Sequence, residues 1–250
     1  MMSDKIPVVE IFGPTVQGEG PNVGARCIFV RVKGCSFKCS WCDSKFTWND
    51  HDSDVVSYEP TTLADLIVQK CLDTKCRKVI LTGGNPCLYN FTYVLKKFKA
   101  FEISTDVETQ GDLYPDWLDS IDTLVFSPKA PSSGMPDTYD KITEYIKTQI
   151  SFPRKIAIKI PIFNTEDIEF SRKYAEFVNS ISDKNKRSID LRLYLSVGNS
   201  DVTTTASIRD RVLSDYESLL NRINEFPNHF QDVYILPQLH TLVWGNKQGV

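Results

Sequence analysis

Cys35-Ser36-Phe37-Lys38-Cys39-Ser40-Trp41-Cys42 sets three thiols within eight residues at C-x3-C-x2-C spacing. Thiolates are soft ligands that suit zinc, copper(I) or iron–sulfur clusters, and on one short segment they converge with little loop-closure cost. A structural zinc site takes four protein ligands. This segment offers three, and the nearest histidine, His51, lacks the paired spacing of a zinc finger. Three cysteines on a cubane cluster would leave one iron free for a substrate or cofactor, whereas an electron-transfer cluster normally uses four. The segment therefore reads first as an open-site iron–sulfur cluster, with a zinc site or a chance grouping of free thiols as alternatives. Cys27, Cys71, Cys76 and Cys87 stand outside the spacing and read as ordinary thiols.

Such a segment has to be held by regular elements, and the chain supplies them in alternation. Pro7 to Gly13 and Ala25 to Gly34 read as strands joined by a glycine-rich loop. A helix follows, with Thr61 as its N-cap and Leu63, Leu66, Ile67 and Val68 as its apolar positions, and then a buried strand from Lys78 to Thr82. Helices around Tyr93 to Phe98, Pro115 to Ile121, Thr138 to Gln149, Thr165 to Ile181 and Ala206 to Phe226 alternate with strands at Glu102 to Glu108, Thr123 to Ser127, Lys155 to Ile160, Leu191 to Val197 and Asp232 to Pro237. This order predicts an α/β fold with a mainly parallel sheet, doubly wound or wrapped into a full or partial barrel. Ligands in such folds bind at the strand C-terminal ends, where Gly83-Gly84-Asn85, Thr109-Gln110-Gly111, Pro128-Lys129 and Gly198-Asn199 fall. The polar stretch from Ser182 to Ser188 reads as an exposed turn.

Composition narrows the function classes. With 250 residues, 41% of them hydrophobic, one domain spanning residues 1–250 is the expectation, and disorder or a disulfide scaffold is not. A net charge of −3 argues against a broad grip on nucleic-acid phosphates. No apolar run approaches the roughly 18 to 20 residues that cross a bilayer, and Met1-Met2-Ser3-Asp4-Lys5 is unlike a secretory signal. A cytoplasmic protein is expected, and in that reducing compartment seven cysteines are not a disulfide framework.

The cysteine spacing resembles the cluster motif of the radical S-adenosylmethionine superfamily, and Thr82-Gly83-Gly84-Asn85-Pro86 matches its second signature. Many members have Glu where this chain has Asn85, whose carbonyl is still an acceptor. Glu10 to Gly20, Arg31, Cys42-Asp43-Ser44, Glu108 to Gly111, Ser127-Pro128-Lys129, Pro237 to His240 and Trp244 to Lys247 extend the likeness over nearly the whole chain, to the 7-carboxy-7-deazaguanine synthases. That resemblance implies a modified partial (β/α) barrel and a lyase converting 6-carboxy-5,6,7,8-tetrahydropterin to 7-carboxy-7-deazaguanine with loss of ammonia. It also implies a [4Fe–4S] cluster, S-adenosyl-L-methionine, Mg2+, a flavodoxin-type reductant and a homodimer. The same spacing occurs in glycyl-radical-enzyme activases, and a non-enzymatic metal-binding module is a further alternative.

By this resemblance Cys35, Cys39 and Cys42 hold the cluster and Ser44 places an oxygen on Mg2+; without it Ser44 would read as a helix N-cap. Trp41, Cys42, Asp43, Gly84, Glu108, Ser127, Pro128, Lys129, Ala130, Ser196, Val197, Gly198 and Asn199 would border the cofactor. Val16, Gln17, Gly18, Glu19, Arg31, Thr82, Gln238 and Val250 would border the pterin. The chemistry agrees with that map. A carboxylate such as Glu19 can accept two adjacent N–H groups of a 2-amino-4-oxo pyrimidine edge, although a solvated loop is the simpler alternative. Arg31 sits in an apolar strand and needs an anion, either the substrate carboxylate or a structural salt-bridge partner.

Overall fold

The computed structural model describes residues 5–49, 54–182, 189–201, 206–247 and 249. His51, residues 183–188 and Val250 lie outside them. Among the described residues, nine strands form one open sheet: β1 (Ile6–Val16), β2 (Arg26–Val32), β3 (Val56–Tyr58), β4 (Lys78–Gly83), β5 (Ser104–Thr109), β6 (Thr123–Phe126), β7 (Lys155–Ile162), β8 (Asp190–Val197) and β9 (Val233–Leu236). Their order is β3-β1-β2-β4-β5-β6-β7-β8-β9. Every pair from β2 to β9 is parallel, while β1 runs antiparallel to both β2 and β3. The fold is α/β with a mostly parallel sheet.

The helices are α1 (Pro60–Thr74), α2 (Thr92–Ala100), α3 (Tyr139–Gln149), α4 (Thr165–Ser182), α5 (Ile208–Asn224) and α6 (Leu239–Trp244). Strand side chains alternate between the two faces of a sheet. One set, including Ile28, Val30, Leu81, Val107, Ile158 and Leu195, is buried in the same core as Leu63, Ile67, Ile142 and Tyr174 of the helices. Each such fully buried aliphatic side chain contributes roughly 1.5–3 kcal/mol. The other set lines the concave face, where Val125, Ala157 and Tyr194 form a small apolar layer of their own. Polar residues share that concave face because residues two apart on a strand point the same way.

Several expectations need adjustment. Helix α1 begins with Pro60 in its first turn, and Glu59, not Thr61, occupies the cap position; Pro is tolerated there because its missing N–H has no partner in the helix. Leu66 is 43% exposed, so the buried stripe runs through Leu63, Ala64, Ile67, Val68 and Cys71 instead. The segment expected to be a helix at Pro115 to Ile121 is a 3-10 turn at Asp116–Ser120. Strand β3 and helix α6 carried too few periodic residues to be seen in the sequence.

Candidate functional site

Because β2 and β4 to β9 run parallel, their C-terminal ends gather on one rim, and a cavity of about 570 Å³ opens there. The cysteine loop leaves β2 at Gly34 and crosses that rim. It is braced from below by the second glycine-rich segment: Gly84 N–H donates to Val32 O at 3.1 Å and Asn85 N–H to Gly34 O at 2.8 Å. A Cβ on Gly84 would stand 1.7 Å from Gly34 O, so only glycine lets these two backbones meet. Gly84→Ala is therefore expected to push the cysteine loop outward, costing roughly 1–3 kcal/mol in urea unfolding and lowering iron uptake on reconstitution. Wild-type stability together with wild-type iron content would contradict this.

Asn85 itself is fully buried and turned away from the cavity. Its Oδ1 accepts from Cys87 N–H at 3.1 Å and Thr109 Oγ1 at 3.0 Å, while Nδ2 donates to Asp112 at 2.9 Å. The acceptor that Asn85 offers in place of Glu is thus used to fasten the turn to the end of β5.

Cys35, Cys39 and Cys42 all border the cavity. Burial raises each thiol above the ordinary range, Cys39 to about 11, and the Lys129 ammonium works against that rise at all three. Among the described residues no three His, Cys, Asp or Glu side chains gather as a single-ion site. A tetrahedral ion with sulfur at about 2.3 Å would need its thiolates roughly 4 Å apart. Three soft thiolates lining one cavity are the kind of donor set that an iron–sulfur cluster takes.

Across the cavity from the loop that follows β1 comes Glu19, and here the structure reveals a group the sequence analysis had not named. Lys159 of β7 reaches Glu19 Oε2 at 3.0 Å and Glu108 Oε1 at 3.4 Å. Glu108 also accepts from Gln17 Nε2 at 3.0 Å and Thr82 Oγ1 at 3.2 Å, and Glu19 accepts from Gln238 Nε2 at 3.1 Å. Burial alone would raise the Glu19 carboxyl; Lys159, then His240, then the bonds from Lys159 and Gln238 outweigh it and hold the group at about 2. Burial would likewise depress Lys159, but Glu108 and Glu19 lift it well above the usual lysine range. The cluster is two carboxylates around one ammonium, with the Gln238 Oε1 atom buried and without a hydrogen-bond partner. An orphaned acceptor beside an ionised carboxylate suits a neutral ligand edge rich in N–H donors.

Arg31 has the structural salt-bridge partner that one of its two readings called for. Its Nε donates to Glu10 Oε1 at 2.7 Å and its Nη1 to Ser44 Oγ at 2.8 Å, and it still borders the cavity. Ser44 precedes a 3-10 turn at Lys45–Thr47 but caps it through its carbonyl, its hydroxyl donating instead to Asp43 Oδ1 at 2.8 Å. Val16, Gly18, Trp41, Asp43, Thr82, Gly84, Glu108, Ser127, Lys129 and Asn199 border the same cavity. Gly18 passes directly under His240, where a Cβ would lie 2.2 Å from Nδ1. Pro128, Ala130, Ser196, Val197 and Gly198 are buried behind the wall rather than on it, although Ser196 Oγ has no hydrogen-bond partner. Glu108, assigned by resemblance to the cofactor, is bonded in the structure to Gln17, Thr82 and Lys159.

Residues 16–109 match the family described as "4Fe-4S single cluster domain". A 7-carboxy-7-deazaguanine synthase of Bacillus subtilis (strain 168) is 37% identical over 254 residues, covering 100% of both chains. The chain belongs to the 7-carboxy-7-deazaguanine synthase family. Two solved structures share the fold. QueE from Escherichia coli superposes with a TM-score of 0.59 at 20% identity, covering 94% of this chain and 95% of that one. Native anSMEcpe with bound AdoMet superposes with a TM-score of 0.52 at 12% identity, covering 81% of this chain and 61% of that one.

In this 7-carboxy-7-deazaguanine synthase family member, Lys159 carries a signal that is visible in the sequence. The residue interrupts the apolar run Ile156-Ala157-Ile158-Lys159-Ile160 just as Arg31 interrupts its own strand. In a strand buried on both faces, a charge signals a partner on the concave side. The same reasoning applied at both positions would have found it. Among the described residues no helix is long and apolar enough to cross a membrane.

Proposed function

We propose that this chain is a radical S-adenosylmethionine lyase that converts 6-carboxy-5,6,7,8-tetrahydropterin to 7-carboxy-7-deazaguanine with loss of ammonia, a step toward queuosine-type bases. One observation supports it above the others: the Glu19, Gln238 and Lys159 cluster shares a single cavity with three cysteines. When bound, the [4Fe–4S] cluster and S-adenosyl-L-methionine supply the 5′-deoxyadenosyl radical that starts the rearrangement. Cys35, Cys39 and Cys42 hold the cluster.

The remaining work belongs to the chain's own side chains. Glu19, kept ionised by Lys159, and the free acceptor of Gln238 bind the N–H groups of the pterin's pyrimidine edge and so fix its orientation. Arg31 takes the substrate carboxylate, with Glu10 setting the angle of its guanidinium. Ser44 and Asp43 offer hard oxygens suited to Mg2+, an ion that keeps several waters and few protein ligands. Ser44 Oγ accepts one bond from Arg31 Nη1 and donates its own proton to Asp43, which leaves its second lone pair for the ion. The chain acts as one domain in the cytoplasm, with a flavodoxin-type reductant, as a homodimer.

Anaerobic reconstitution with the carboxytetrahydropterin, S-adenosylmethionine and a low-potential reductant should yield 7-carboxy-7-deazaguanine; cofactor cleavage without that product would point to an activase instead. Glu19→Gln and Arg31→Ala should each weaken pterin binding about tenfold to a hundredfold at unchanged iron content, since a charge-assisted bond contributes roughly 1.5–3 kcal/mol. Calorimetric Kd values unchanged in both variants would remove this substrate map.

A further inference from the structure

Two of the three motif sulfurs receive N–H groups for which the reading above gives no task. Trp48 Nε1 lies 3.4 Å from Cys42 Sγ, and Cys35 Sγ accepts from Phe37 N–H at 3.4 Å and Gln110 Nε2 at 3.7 Å. The indole is the informative donor. It can donate and not accept, so its orientation toward sulfur has only one chemical meaning. A part-buried indole N–H normally finds a partner, and here that partner is the thiol of a proposed cluster ligand.

The turn carrying Trp48 is fixed on both sides, which makes the contact a built one. Thr47 N–H and Oγ1 both donate to Ser44 O, at 2.9 and 2.7 Å, and Thr47 O accepts from Gly34 N–H at 2.7 Å. Lys33 Nζ ties down Phe46 O at 3.0 Å and Asn49 O at 2.6 Å. The ring therefore hangs from a backbone that is bonded to the start of the cysteine loop.

A cluster gains one negative charge on reduction, and part of that charge spreads onto the thiolate sulfurs. An N–H dipole aimed at sulfur stabilises the reduced form more than the oxidised one and raises the potential. We propose that Trp48 is a positioning residue that acts through Cys42 to raise the cluster's reduction potential toward the range of its biological reductant. This rests on the cluster reading above.

The test is a redox titration of the reconstituted enzyme, followed by electron paramagnetic resonance, on wild type and Trp48→Phe at equal iron and sulfide content. The variant's midpoint should fall, with up to about a tenfold lower ratio of reduced to oxidised cluster at a fixed potential, which is about 59 mV for one electron. Wild-type protein that takes up no cluster would overturn the reading on which this rests. Equal midpoints in cluster-replete wild type and variant would overturn the role of Trp48 alone. Should Trp48→Phe not retain its cluster, indole-15N labelling of Trp41→Phe protein reads the same contact: a hyperfine coupling between the reduced cluster and the indole nitrogen is expected, and its absence overturns the assignment.

Discussion

Cys39→Ala, reconstituted under anaerobic conditions, is expected to cleave S-adenosylmethionine at no more than about a thousandth of the wild-type rate, a loss of over about 4 kcal/mol in transition-state stabilisation. The reason is ligand count. Cys35, Cys39 and Cys42 are three donors around one cavity, and with two remaining the iron beside Cys39 has no protein sulfur to replace the lost one, because Cys27, Cys71, Cys76 and Cys87 do not border that cavity. Iron content and cofactor cleavage should fall together, with the circular dichroism of the fold unchanged. Retained cleavage in this variant would remove the cluster assignment, and with it the chemistry proposed here.

Lys159→Met should have the second largest effect, on stability and on pterin affinity at once. Removing the ammonium leaves Glu19 and Glu108 facing one another in a partly dry cavity, and breaking a buried pair from one side costs about 3–5 kcal/mol. The pH dependence has a definite sign. Glu19 has its folded pKa depressed to about 2 from an unfolded value of 4.5, so its contribution is present above 4.5 and is lost as pH falls toward 2. Lys159 has its pKa raised from 10.5, so its contribution is complete below 10.5 and is lost as pH rises through the higher folded value. Wild type should therefore exceed the variant most between about pH 5 and pH 10. Below pH 4.5 the gap should narrow, because the stabilisation that the depressed Glu19 carboxyl gives the wild type is then being lost. Urea unfolding at pH 7 and pH 4 measures this, and a gap of the same size at both values would show that the ion pair is not its source.

The rhythm of strands and helices was legible because each parallel strand is a run of apolar residues and each helix a stripe, so Lys78 to Thr82 or Lys155 to Ile160 could be placed from local pattern. The chemistry of the rim was legible for a similar reason: three cysteines within eight residues need no fold to bring them near one another. Glycine was informative only in part. Gly83-Gly84 marked a strand end at the ligand rim, but the close packing of Gly84 on the carbonyl of Gly34 at the root of the cysteine loop, some fifty residues away in sequence, could be identified only in three dimensions.

What local pattern left undetermined was pairing between distant residues. That Arg31 meets Glu10 and Ser44, that Asn85 spends its carbonyl on Cys87 and Thr109, and that Trp48 aims its indole at Cys42 are all outcomes of register and of loops crossing the rim. Lys159 and Glu19 are 140 residues apart, and no periodicity links them. The sequence by itself determined the α/β alternation, the triad of thiols and the family likeness, since each is encoded within a few neighbouring residues or in their order. Only the tertiary structure decided which charge neutralises which, because a buried ion finds its partner across strands, where the parallel register, not the spacing along the chain, sets the distance.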